Sequence, residues 1–304
     1  MRVLVTGATG FVGRWLVEEL EAFGHDVIRA PSSDVLDIGD AAAVRRLMAS
    51  ALPDAVAHLA AVAFAPDAAR HPDRAFAVNE GGTRAILEAV ASTDPDTHVL
   101  VTSSSEVYGR PALEDLPIDE FQALRPDRPY GRSKLAQEEV ASAIAAAHGI
   151  PLVLTRAFNH TGPGQRADFV VPALAARILD AAREGRGSIR AGNVDVRRDI
   201  GDVRDVVRAY RLLLEASARG DLPAGPSVFN IATGRAVAIR DLIEQLAALA
   251  GTTVDVETDP ALVRADDPPE IRGDATRLTA ATAWRPERPL SSTLADVFAS
   301  VARS

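Results

Sequence analysis

"TGATGFVG", residues 6–13, holds Gly7, Gly10 and Gly13 in a G-x-x-G-x-x-G pattern. The run before it, "RVLVT" (2–6), has no polar alternation and reads as a strand buried on both faces. After it, Phe11, Val12, Trp15, Leu16, Leu20 and Phe23 recur at helical spacing, and Gly24 is placed to end that helix. A glycine-rich turn between a buried strand and a helix is where a dinucleotide's pyrophosphate meets unpaired N–H groups. Gly7 permits the tight turn, Gly10 lets the backbone approach the phosphates, and Gly13 lets the helix pack close to the strand. Phe11 and Val12, between the last two glycines, join them as candidate cofactor residues.

Outward from this turn the same alternation continues. "DVIRA" (26–30), "DAVAHLA" (54–60), "HVLVTSS" (98–104), "PLVLTRAF" (151–158) and "SVFNIA" (227–232) are further apolar runs. Helical patterns separate the early ones: "AAAVRRLMAS" (41–50), "RAFAVNEGGTRAILEAV" (74–90) and "YGRSKLAQEEVASAIAAAHG" (130–149). The adjacent Gly81 and Gly82 weaken the middle helix by propensity. Strands alternating with helices predict an α/β fold: a Rossmann-type parallel sheet flanked by helices, with a smaller α/β substrate-binding domain. After residue 158 the pattern loosens into "FNHTGPGQRAD" (158–168), a helix at 170–185, a long helix from about Asp202 to Ala218, an amphipathic helix at 239–251, a strand at 253–258 and a terminal helix. The expected division is a dinucleotide-binding domain over 1–158, joined by 199–233, and a substrate domain over 159–198 and 234–304.

With 304 residues and 47% hydrophobic composition, the chain can bury a large core in one or two domains. A net charge of −9 argues against binding nucleic acid or an anionic membrane, though local positive groups can still hold a small anion. The absence of cysteine excludes disulfides, thiolate metal ligation and thiol catalysis, and no metal site is expected. The apolar start is too short and glycine-rich for a secretory signal, and no run reaches membrane-spanning length. A cytoplasmic protein without nucleic-acid or membrane partners is the expectation.

An acid at the end of the second strand would grip the adenosine ribose of NAD. Here the strand ends "VIRAPSS", without one. Arg29, Ser32 and Ser33 stand there instead. Arg29 is either a ligand for a 2′-phosphate or a solvated strand-end charge. The pattern favours NADP(H) and leaves NAD(H) open. The chain runs straight on to "DVLDI", so one helix–strand unit of a full nucleotide-binding half is missing.

Tyr130 and Lys134 in "PYGRSK" (129–134) stand four apart, on one face of a helix. Alone they read equally as a surface pair. They follow "TSSSEVYG" (102–109) at the carboxyl end of a strand, the ligand-binding edge of a parallel sheet. Thr102, Ser103 and Ser105 read as a polar strand end capping the next turn. Ser104 makes a third member of a set: a hydroxyl to polarise a carbonyl, a phenol to give or take its proton, and an ammonium to draw the phenol's pKa down.

"TGATGFVG", "HLAA" (58–61), "VNEGGT" (78–83), "SSSEVYG", "YGRSK" and "RAFNHTGPGQ" (156–165), in that order, resemble the extended short-chain dehydrogenase/reductase family, enzymes of sugar nucleotides. The likeness spans nearly the whole chain. Within the family, "FNHTGPGQ" and "AGNVDVRRDIGDVRDVVRAY" look most like the GDP-4-dehydro-6-deoxy-D-mannose reductases, and less like the GDP-mannose 4,6-dehydratases. "VRADDPPEIRGDATRL" (263–278) resembles the reductases' nucleotide-side loop. The resemblance implies Ser104, Tyr130 and Lys134 as catalytic residues. It puts Asp37 and Ile38 beside the adenine and Leu59, Ala60 and Ala61 along the cofactor groove. Asn79 would support the nicotinamide-side helix, Phe158 and His160 would flank the nicotinamide, and Asn159 and Arg198 would touch the sugar diphosphate. A guanidinium suits a phosphate, which favours Arg198. His160 reads equally as a turn histidine without chemistry. Glu106 stands where the family's dehydratases keep a base for the C5 proton, but the reductases keep it too, so it reads equally as a supporting carboxylate.

The implied activity is NAD(P)H-dependent reduction of the C4 keto group of a nucleotide-linked 4-keto-6-deoxyhexose, GDP-4-dehydro-6-deoxy-D-mannose giving GDP-D-rhamnose. A dehydratase or epimerase on the same substrate class is the rival, and a non-catalytic NADP-binding regulator a second one that fold alone does not exclude. The intact Ser104, Tyr130 and Lys134 set argues against the regulator. The short region after "VIRA" argues against a dehydratase, whose relatives carry an arginine-containing loop there. Small residues on two helices, Ala75, Ala77, Gly81, Gly82 and Ala85 on one and Ala136, Ala141 and Ala145 on the other, match the helix pair that joins homodimers in the family. A nucleotide-diphosphate sugar and a second copy of the chain are the expected partners.

Overall fold

The computed structural model describes residues 1–223, 225–263 and 266–303. Arg264 and Ala265 of the nucleotide-side loop lie outside the described residues. Strands β1 (Arg2–Thr6), β2 (Asp26–Arg29), β3 (Ala55–His58), β4 (His98–Ser104) and β5 (Leu152–Ala157) all pair in parallel. Then come β6 (Asn159–Thr161), β7 (Ser188–Ala191), β8 (Arg197–Asp202) and β9 (Ser227–Ile231); β9 closes a six-stranded sheet of order β2-β1-β3-β4-β5-β9. A full dinucleotide fold carries one more strand beyond β2. The missing unit read from the short stretch after "VIRA" is therefore a real truncation of this sheet.

The helices are α1 (Phe11–Ala22), α2 (Ala41–Ala51), α3 (Ala65–Arg70), α4 (Pro72–Phe76), α5 (Gly82–Thr93), α6 (Pro129–His148), α7 (Val170–Glu184), α8 (Val203–Ala218), α9 (Ile239–Leu249), α10 (Thr276–Thr282) and α11 (Leu290–Ala302). Successive residues of β1 serve two cores. Val3 and Val5 pack toward Leu16 and Leu20 of α1 and Leu213 of α8, while Leu4 packs toward Met48 of α2 and Ile86 of α5. A strand covered on both faces has no face to make polar, so "RVLVT" shows no alternation. Burying each such leucine contributes about 1.5–3 kcal/mol.

The middle helix survives its two glycines. A π-turn over Ala77–Gly81 joins α4 to α5. Gly82 is required by its neighbour, since a Cβ there would lie 2.7 Å from Ile38 Cγ2. The small residues of this helix and of α6 are mostly spent inside the protomer: Ala75, Gly82, Ala85, Ala141 and Ala145 are buried against their own chain. Ala77 is exposed and Gly81 and Ala136 are half-buried, so only part of that small-residue surface is spent inside the chain.

The remaining elements make a smaller layer. The short strands β10 (Ala236–Ala238), β11 (Asp255–Thr258) and β12 (Glu270–Ile271) pair with β8 or β7, and β6 also joins β8. Residues 199–202 thus sit in this small sheet rather than with the large one, whereas α8 packs on α1. A third core of α7, α9 and α11, including Leu174, Ile178, Leu242, Leu246 and Leu294, holds the layer together. No helix among the described residues is long and apolar enough to cross a membrane.

Candidate active site

The carboxyl ends of β1–β5 open into a cleft of about 1140 Å³ between the two layers. One wall is mostly backbone. Gly7 adopts φ +69°, and a Cβ on it would lie 2.9 Å from the Ala60 nitrogen. A Cβ on Gly13 would lie 2.0 Å from the Gly7 carbonyl oxygen, so α1 approaches the turn as only glycine allows. Gly10 caps α1 with no side-chain hydrogen bond, and the first turn carries no acid. These open N–H groups and the bare turn fit a dinucleotide pyrophosphate. Gly7, Gly10, Phe11, Val12, Gly13, Asp37, Ile38, Leu59, Ala60 and Ala61 all line this wall, as do Ser32 and Ser33.

Two expected cofactor residues lie elsewhere. Arg29 is turned to the outer surface, where it pairs with Glu21 of α1 at 2.7 Å, and it does not line the cleft. The side chain alternates away from the groove at that strand position, and an acid one helix away takes it. Asn79 is fully buried behind the wall. Its Oδ1 accepts from the Val62 N–H at 2.8 Å, and its Nδ2 donates to Ser133 Oγ at 2.9 Å. It supports the groove from behind and touches no ligand space.

Ser104, Glu106, Tyr130 and Lys134 converge on the floor. Ser104 ends β4 and caps the 3₁₀ turn Ser105–Tyr108, its Oγ accepting from the Glu106 N–H at 3.2 Å. The capping role expected of its neighbours thus belongs to Ser104 itself; the Thr102 hydroxyl instead donates to the His58 carbonyl. Gly131 lets α6 run against that turn, since a Cβ there would sit 2.5 Å from the Glu106 carbonyl oxygen. Burial pushes the Tyr130 phenol up to about 12, the Ser104 hydroxyl beside it works downward, and the Glu106 charge works upward. The expected lowering of this phenol by Lys134 is not found. The ammonium is directed elsewhere, donating to the Thr102 carbonyl at 2.8 Å and to Gln137 Oε1 at 2.7 Å. Burial pulls Lys134 down to about 7, with Glu138 working against the fall.

Phe158, Asn159 and His160 follow β5 into the cleft. Phe158 is 2% exposed, and a Cβ on Gly273 would lie 2.5 Å from its ring. His160 stacks near Phe11, ring centroids 6.4 Å apart, and donates from Nδ1 to the Phe158 carbonyl at 3.0 Å. Burial lowers its pKa, which keeps it neutral. Arg198 lines the far wall, but its guanidinium already pairs with Asp267 at 2.9 Å and donates to the Pro268 carbonyl.

Several lining residues went unnoticed in the sequence. Gln165, Arg166, Arg177, Asn193 and Asp267 face the cleft from the smaller layer. They come from turns and helix sides that carry no periodic mark. One signal was present. Lys134 is the only lysine in a chain with 33 Lys and Arg residues. Arginine fills every other cationic position. A guanidinium stays charged at any working pH, so an amine is kept where a group able to lose its proton is needed.

The model of the NAD dependent epimerase/dehydratase family matches residues 3–232. The GDP-6-deoxy-D-mannose reductase of Pseudomonas aeruginosa is 36% identical over 295 residues, covering 96% of this chain and 94% of that protein. The structure of RMD from Pseudomonas aeruginosa complexed with NADPH matches all of both chains with a TM-score of 0.90 and 33% identity. The UDP-glucose 4-epimerase of Thermotoga maritima with UDP-glucose matches with a TM-score of 0.87 and 26% identity, covering 100% of this chain and 99% of that one.

Proposed function

Since the chain belongs to the NAD dependent epimerase/dehydratase family, we propose that it reduces the C4 keto group of GDP-4-dehydro-6-deoxy-D-mannose to GDP-D-rhamnose, with NADPH preferred to NADH. The observation that carries the reading is the convergence of Ser104, Tyr130 and Lys134 on one cleft in a chain 36% identical over its length to a GDP-6-deoxy-D-mannose reductase. The bound nicotinamide supplies the hydride. Everything else falls to the chain. Ser104 holds the carbonyl oxygen and favours the alkoxide that develops there. Tyr130 gives that oxygen its proton. A phenol held near 12 stays protonated through neutral pH, which suits a donor in the reducing direction. Lys134 offsets the charge left on Tyr130. Ser32 and Ser33, with no acid at the end of β2 itself, favour a 2′-phosphate even though Arg29 is turned away; the first acid to line the cleft after β2 is Asp37. Asn159 and Arg198 hold the sugar diphosphate.

Glu106 favours a second reading, since it lines the cleft and its charge reaches Tyr130. A 4,6-dehydratase needs such a base for elimination across C5–C6. A direct assay separates the two. A reductase consumes NADPH on the 4-keto substrate and loses little when Glu106 becomes Gln. Conversion of GDP-mannose to its 4-keto-6-deoxy product without added reductant, abolished in Glu106→Gln, would establish the dehydratase instead. The proposed assembly is a homodimer in the cytoplasm, and the two-layer division follows the large sheet with α8 and β9 against residues 159–202 and 234–304. A light-scattering mass of one chain at micromolar concentration rejects the dimer.

A further inference from the structure

Lys134 does not end at its two acceptors. A buried line of side chains runs from it through α5 and β3 to the first residue of the glycine turn. Gln137 Oε1 accepts a hydrogen bond from Lys134 Nζ at 2.7 Å, and Gln137 Nε2 donates to Thr83 Oγ1 at 2.8 Å. Thr83 spends its one hydroxyl proton on the Asn79 carbonyl at 2.7 Å. His58 Nε2 lies 3.0 Å from Thr83 Oγ1, and His58 Nδ1 lies 2.8 Å from Thr6 Oγ1. Thr6 Oγ1 in turn accepts from the N–H groups of Leu59 and Ala60, both at 3.1 Å. Gln137, Thr83 and His58 are fully buried, and Thr6 is 1% exposed.

The polarity of this line has one solution. Lys134 has only protons to give, so the oxygen of Gln137 faces it and the amide nitrogen faces Thr83. Thr83 has no second proton, so His58 must donate from Nε2. His58 Nδ1 then accepts from Thr6. We propose that Gln137 is a positioning residue for Lys134, and that the line Gln137–Thr83–His58–Thr6 anchors the ammonium to the groove where Leu59 and Ala60 meet the glycine turn. The proposal rests on the reading of Lys134 as catalytic.

The anchor explains why a neutral amide stands at residue 137. An amide accepts from an ammonium and donates onward at once; a carboxylate only accepts, and an alkyl side chain does neither. Glu138 on α6 and His58 on β3 interact with Lys134; Glu106, in the turn after β4, acts on Tyr130 one turn earlier on α6, and Arg156 on β5 is held by Glu138. His58 is kept neutral by burial, so it adds no charge to the line.

The sole lysine makes the test direct. Protein grown on lysine labelled with ¹³C at Cε gives one lysine resonance, that of Lys134, whose midpoint is followed against pH without substrate. Gln137→Met removes the acceptor and should lower the midpoint by ~1–2 pH units, while Gln137→Glu should raise it by ~1 unit or more. ¹⁵N-histidine spectra should show His58 as the Nε2–H tautomer. The alkaline limb of turnover on the 4-keto sugar nucleotide should follow the same directions. Either variant suffices if the other fails to fold. A midpoint unmoved in a folded variant, or two variants moving the same way, overturns the proposal. If the resonance moves as stated but the wild type reduces no 4-keto sugar nucleotide, the anchor stands and the functional reading falls. If turnover is present and the resonance stays still, the reverse holds.

Discussion

The two walls of the cleft are made of different material. The cofactor-side wall is backbone and small side chains, with Gly7, Gly10, Gly13, Leu59, Ala60 and Ala61 in front of a buried polar line. The other wall is long side chains, among them Gln165, Arg166, Arg177, Arg198 and Asp267, held by ion pairs and by backbone carbonyls such as that of Arg190 in β7. A backbone wall tolerates no added atoms, because close-packed groups have nowhere to go. A side-chain wall tolerates substitution and changes specificity. In the proposed reaction the cofactor lies along the rigid wall and the sugar nucleotide is recognised by the adjustable one.

The contrast is broken most severely at the floor. Tyr130→Phe should lower turnover by ~10²–10⁴-fold with NADPH affinity unchanged, measured by initial rates and cofactor fluorescence. If the loss shows up in cofactor affinity, Tyr130 belongs to the wall and not to the chemistry. On the backbone wall, Gly13→Ala places a Cβ 2.0 Å from the Gly7 oxygen. It should cost about 1–3 kcal/mol of stability and weaken NADPH binding at least tenfold, read by denaturant titration and isothermal calorimetry. An unchanged affinity would mean the turn relaxes freely.

The buried line behind that wall has a pH signature. Burial pulls His58 down to about 3, so the folded state stays neutral while the unfolded chain takes up a proton below about 6.5. The unfolded state then binds more protons, and stability falls as pH drops through that window, by up to about 1.4 kcal/mol per pH unit. Chemical denaturation at pH 7 and pH 5 should show this fall in the wild type and a smaller one in His58→Gln. On the substrate wall, Arg198→Gln should raise KM for the sugar nucleotide by roughly tenfold and leave kcat within about twofold, since Asp267 already shares the guanidinium. The smallest effect belongs to Arg29→Ala. An exposed pair with Glu21 contributes about 0–1 kcal/mol, so stability and NADPH affinity should both hold.

The same contrast decides what could be read from the chain. Backbone demands leave marks at fixed spacing. "TGATGFVG" gave the turn, the apolar runs gave the parallel strands, and the short stretch after "VIRA" gave the missing edge unit. Tyr130 and Lys134 share a helix face, so their convergence was legible too. Side-chain positions in loops leave no period. Gln165, Arg177 and Asn193 carry no mark for that reason, and of the two readings open for Arg29 the structure shows the solvated strand-end charge, paired with Glu21. The small faces on α4–α6 do not by themselves separate two uses, because close packing inside a protomer needs the same residues as packing between two. Lys134 as the sole lysine was legible by counting alone.

In the proposed reaction NADPH delivers hydride to C4 in this cleft and Tyr130 closes the step. The most direct test supplies NADPH deuterated at C4 of the nicotinamide, with GDP-4-dehydro-6-deoxy-D-mannose, and locates the label in the product by NMR. One equivalent of NADP⁺ should form per product, with deuterium at C4 of the sugar. Unlabelled product, deuterium at C6, or product formed without net oxidation of the cofactor would contradict it.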